Sequence, residues 1–132
     1  MILKKNTKED KIKEKLFIRG VKSFNQKKFY KAHEYWEDLW TDYRLFDEKF
    51  IQALIQMAVG CFHITNINKK GAISLLTKSL DKFKLYEKKH RGIDVSTIID
   101  SIVVMLLHLR KIENINDFNW SLVPKIRIID EQ

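Results

Sequence analysis

The chain has 132 residues, 45% of them apolar and 11% aromatic, which suits one ordinary domain with a core of its own and excludes a mainly disordered state. The longest apolar run, 98–109, is broken by Asp100, Ser101 and His108, too short and too polar to span a bilayer. One cysteine, Cys61, cannot form an internal disulfide, and the N-terminus lacks a signal-peptide pattern; a cytoplasmic chain is expected, or a stromal one if organelle-encoded. The net charge of +8 is uneven. Residues 1–31 hold eleven Lys/Arg against three Asp/Glu, whereas the rest balances. The basic stretch 4–31 has two readings: an arm for an anionic partner, or a solvated lysine face. Lysines without interleaved exposed aromatics supply point charges but no base readout, which favours the second.

In chain order, 1–6 is read as frayed. Thr7 and Asp10 make a capping box, so a first helix starts near Lys8, with Ile12, Leu16, Phe17, Val21 and Phe24 as its apolar stripe. Gly20 inside it costs helix propensity, about 1 kcal/mol against Ala, and therefore marks close approach of another helix. A second helix is expected over 28–43, with Phe29, Ala32, His33, Trp36, Glu37 and Trp40 inward. Asp47 is the expected N-cap of a third, 48–65, whose core stripe is Ile51, Leu54, Ile55, Ala58 and Phe62. A fourth, 70–89, is stopped by His90-Arg91-Gly92. A fifth starts at Asp94 and runs to 112 on Ile98, Ile99, Ile102, Val103, Leu106 and Leu109. Pro124 forbids a helix in the tail, so 114–132 is read as extended across the bundle, anchored by Trp120. The expected fold is all-α, a single domain over 1–132 of about five helices with an extended C-terminal tail.

Chemistry has few places to reside. His33, Glu37 and Trp40 fall at i, i+4 and i+7 on one helical stripe. Imidazole and carboxylate at that spacing suit a divalent metal such as zinc, iron or manganese. Helices joined by a short loop run antiparallel, which returns His63 towards His33 and Glu37 and offers a two-His, one-carboxylate set. Gln52 and Gln56 would lie along the same seam, with Trp36, Trp40, Glu34 and Arg44 around it. The competing reading is a buried polar network that fixes helix register, with Glu37 paired to Arg44 or His63. Trp36 and Trp40 are read chiefly as core. Cys61 and His63, two apart on a helix, point in different directions and cannot act as a catalytic pair. Cys61, His90 and His108 are read as structural. There is no glycine-rich phosphate loop, Ser-His-Asp pattern or CxxC pair.

Several of these residues carry a family resemblance. Gly20, Phe24-Asn25, Phe29-Tyr30-x-Ala32-His33-Glu34-x-x-Glu37-x-x-Trp40, Gln52-Ala53-Leu54-Ile55-Gln56 and Asn68-x-x-Gly71-Ala72 together resemble the DUF309 family, helical proteins marked by an HxxxExxW motif. The resemblance spans about residues 17–80. It implies an all-helical fold and metal binding through His33 and Glu37 with Trp40 beside them, and no particular reaction. The sequence departs from the pattern at Lys27 and Ala53, where glycine is expected. The 20–32 spacing also resembles one tetratricopeptide helix pair, which keeps a non-enzymatic interaction module open beside a metal-dependent enzyme.

Overall fold

Thr7 Oγ1 accepts from Asp10 N at 3.0 Å and the Asp10 carboxylate accepts from Thr7 N at 3.4 Å, so the expected capping box opens α1, Lys8–Asn25. Four more helices follow in the computed structural model, which describes residues 7–129: α2 Phe29–Asp42, α3 Glu48–Thr65, α4 Lys69–Phe83 and α5 Val95–Lys111. The expectations for 1–6 and 130–132, including Lys4 and Lys5 of the basic stretch, lie outside the described residues. Among the described residues no helix is long and apolar enough to cross a membrane.

The α1–α2 and α3–α4 turns use one device. Lys27 and Ile67 sit in the left-handed region, at φ 63° and 58°. Lys28 N donates to Ser23 O and Lys27 N to Phe24 O, both at 2.8 Å; Asn68 N donates to His63 O at 2.8 Å and Ile67 N to Ile64 O at 3.1 Å. This six-to-one and five-to-two pairing satisfies carbonyls that a helix end otherwise leaves bare. It also explains why glycine is expected at 27: the position needs a positive φ, which lysine adopts only at a cost.

Each helix packs chiefly on its neighbours in sequence, with α3 at the centre between α2 and α4. Gly20 does what its place implies. A Cβ there would lie 2.1 Å from Trp36 Nε1, and the fully buried indole donates to Phe17 O at 3.2 Å. Gly60 plays the same part between α3 and α4, against Leu76. The rest of the core is Phe17, Phe24, Phe50, Leu54, Met57, Phe83 and their neighbours.

The second half departs from the expected pattern. The fourth helix ends at Phe83 rather than 89, and His90-Arg91-Gly92 caps no helix. A two-residue hairpin takes its place, β1 Lys89–His90 against antiparallel β2 Ile93–Asp94, turned by Arg91 and Gly92 at φ 52° and 74°. Asp94 is the N-cap of α5, accepting from Thr97 N at 3.1 Å. Asp47 precedes α3 but makes no side-chain cap. Val103, expected in the core, is exposed, and Leu39, not assigned to it, is buried. The tail first forms two 3-10 turns, Ile115–Asp117 and Trp120–Leu122, and becomes extended after them. Trp120 stacks on Phe29 at 5.9 Å between ring centroids. Asn25 fastens the extended part: its Nδ2 donates to Ile126 O at 2.8 Å and its Oδ1 accepts from Ile126 N at 2.7 Å. Beyond it, Ile128 bridges to Ile93 and Ile129 N donates to Gly92 O.

Candidate functional site

The buried side of α2 is Phe29, Ala32, Trp36 and Leu39. His33, Glu37 and Trp40 lie one step round the helix from it, partly covered, as are Gln52 and Gln56 of the neighbouring α3. His33 Nε2 lies 3.4 Å from Glu37 Oε1, with side-chain exposures of 22% and 46%. The imidazole packs on Tyr30 at 5.1 Å, and Tyr30 packs in turn on Phe62 of α3 at 5.2 Å. A shallow groove of about 340 Å³ runs over this part of α2. Its walls include His33 and the carboxylates of Glu34, Glu37 and Asp38, against one lysine, Lys31. The groove therefore favours positive charge although the chain as a whole is basic.

Three polar atoms of α2 and α3, His33 Nδ1, Trp40 Nε1 and Gln56 Oε1, are shut off from solvent and have no hydrogen-bond partner among the described residues. Leaving such a group unpaired costs about 1–3 kcal/mol. Two of the three belong to the HxxxExxW stripe and the third to α3, which packs on α2. Trp36, by contrast, is wholly core.

His63 does not complete a set with His33 and Glu37. Among the described residues no group of three or more His, Cys, Asp or Glu is placed to hold a metal ion. His63 Nδ1 lies 3.3 Å from Asn68 Nδ2, and Asn68 itself caps α4 by accepting from Gly71 N at 2.9 Å. The local turn holds this histidine in the last turn of α3. Arg44 is exposed in the connection after α2 rather than tied to Glu37, whose partner is His33. The described lysines of the basic stretch are solvent-exposed, apart from Lys13, which is partly covered and bridges Glu9 and Asp10 at 3.6 and 3.8 Å. Cys61 is fully buried, and burial pushes its thiol far above the ordinary value, so it is no nucleophile. His108 Nε2 accepts from Asn119 N at 3.0 Å, a structural role.

The family model of DUF309, described as a domain of unknown function, matches residues 17–75. This stretch is a DUF309 domain. None of the curated proteins compared with the chain matches it. The match thus covers the second half of α1, all of α2 and α3 and the start of α4, and the HxxxExxW stripe and both glutamines of α3 lie within it.

One polar cluster escaped sequence reasoning altogether. Asp47, 1% exposed, accepts from Arg91 Nε at 2.6 Å and Arg91 Nη2 at 3.0 Å, and lies 2.7 Å from His90 Nε2. The Arg91 guanidinium also covers the Phe17 ring at 4.9 Å. Burial opposes ionisation of Asp47, but the hydrogen bonds and charge of Arg91 and His90 outweigh it and hold the carboxyl below its usual range. The cluster ties the hairpin to the α2–α3 connection. Its partners are 43 and 44 positions apart, beyond the reach of any local motif.

Proposed function

We propose that the DUF309 domain is a divalent-cation-binding module, with His33 Nε2 and Glu37 Oε1 as its two protein ligands and water or a partner's acidic group filling the rest of the shell. The observation that carries it is the His33–Glu37 separation. At 3.4 Å it is long for a charge-assisted hydrogen bond. An ion about 2.1 Å from each atom, the usual zinc distance, would subtend about 108° there, a tetrahedral angle. The carboxylates of the groove add favourable charge. A ligating histidine donates its other ring N–H to an acceptor. An ion on Nε2 would place that proton on His33 Nδ1, which is shut off from solvent without a partner among the described residues, and Gln56 Oε1 of the neighbouring helix, a buried acceptor likewise without one, is the candidate to receive it. Two ligands on one helix make a binding device; no reaction is assigned to it.

Calorimetric titration with Zn²⁺ in the absence of chelator tests this. The wild-type chain binds one ion, His33→Ala and Glu37→Gln each weaken it at least tenfold, on the order of 1.4 kcal/mol, and His63→Ala leaves it unchanged. Equal binding by His33→Ala and wild type would refute the assignment. A second reading, a tetratricopeptide-like interaction module without a bound ion, is favoured by the successive helix pairs with identical turns. It predicts no titration at all and a loss of stability in both variants.

A further inference from the structure

The helix α5 is apolar round most of its circumference but is covered on one side only. Ile98, Ile102, Met105, Leu106 and Leu109 are buried against the bundle. On the other side Val103, Val104 and Leu107 are 38%, 46% and 57% exposed. Single exposed apolar residues need no explanation, but these three form one stripe at helical spacing. A helix apolar on both sides is normally covered on both. The stripe is bounded by exposed Asp100 at one end and by exposed Arg110 and Lys111 at the other, and none of the three has an ion-pair partner among the described residues. Asp100 and Arg110 are ten residues apart, about 15 Å along the axis.

That charge order selects the partner. We propose that this face of α5 docks antiparallel on the same face of a second copy of the chain. About a two-fold axis near Met105, Asp100 of each copy meets Arg110 and Lys111 of the other, while Val103 and Val104 meet Leu107. Every group on the stripe is then matched, as an isologous contact requires. A parallel pair would set Asp100 against Asp100 and Arg110 against Arg110, which like-charge repulsion opposes. Three apolar side chains per copy make a contact at the small end of specific interfaces, below roughly 1,200 Å². The dimer is therefore weak and concentration-dependent.

Sedimentation equilibrium over roughly 10 µM to 1 mM reads this directly. The wild-type chain shifts from monomer to dimer as its concentration rises. Leu107→Asp and Asp100→Lys each weaken dimerisation at least about tenfold. The variant combining Asp100→Lys, Arg110→Glu and Lys111→Glu, with its charges exchanged, recovers it. All these positions are exposed, so unchanged circular dichroism and melting confirm that each variant folds. A wild-type chain that stays monomeric throughout overturns the proposal. So does a dimer indifferent to Leu107→Asp, or a charge-exchanged variant that fails to recover.

Discussion

Replacing Gly20 by alanine sets two local effects against each other, and the structure says which prevails. Taken alone, the helix gains about 1 kcal/mol. Against that, the new methyl would lie 2.1 Å from Trp36 Nε1 and 2.4 Å from the adjoining ring carbon, far inside contact distance. The indole cannot swing away, because it is fully buried and donates to Phe17 O. Moving it costs about 1–3 kcal/mol in repacking. A further 1–3 kcal/mol or so follows from stranding its buried N–H. The net loss is about 1–5 kcal/mol, centred near 3, or on the order of 10 °C in melting temperature for a domain of this size. Urea unfolding and thermal melts followed by circular dichroism measure it. Trp36→Phe provides the cycle: a smaller ring without the N–H should absorb much of the Gly20→Ala penalty. A Gly20→Ala chain that melts at or above the wild type would show that the α1–α2 approach is looser than described.

Other perturbations test other parts of the chain. Ile67 is 62% exposed with φ 58°, so Ile67→Gly should raise stability by about 1 kcal/mol, read as a higher urea midpoint. Asp47→Asn removes the carboxylate that holds Arg91 and His90 and should cost about 3 kcal/mol, the low end for one partner of a buried ion pair, since both partners keep some solvent. Because the folded-state pKa of Asp47 is lowered, its contribution is complete above the unfolded carboxylate value, about 3.9, and is lost as pH falls towards and through the folded value. Melting temperatures between about pH 4 and pH 2 should therefore fall more steeply for wild type than for Asp47→Asn. Asn25→Ala releases both bonds to Ile126 and should speed limited proteolysis after Lys125 or Arg127, with a stability loss of about 1–3 kcal/mol.

What was legible in the sequence was local. Thr7–Asp10, Asp94 and the helical periodicity of α1 to α3 follow from neighbours within four residues. Gly20 announced a close approach because a glycine within a helix otherwise only costs. Three features were not legible, for separate physical reasons. Asp47 has the chemistry of an N-cap, but its partners come from a hairpin more than forty residues away. Arg91-Gly92 reads equally as a helix stop or as a tight turn, since both accept a positive φ. α5 is apolar on nearly every side, so periodicity could not choose which valines face inward, and Val103 was put on the wrong side. At the seam, the pairing of His33 with Glu37 follows from helix pitch, whereas the place of His63 depends on how the α3–α4 turn holds it through Asn68.

The Asn25 amide grips the main chain of Ile126 as a strand would, across 101 positions of sequence. During synthesis this clasp cannot close until every described helix has left the ribosome. Products ending before residue 126 lack it, and the tail segment remaining to them is left unfastened. One side chain of the first helix thus waits for a segment made after all the described helices.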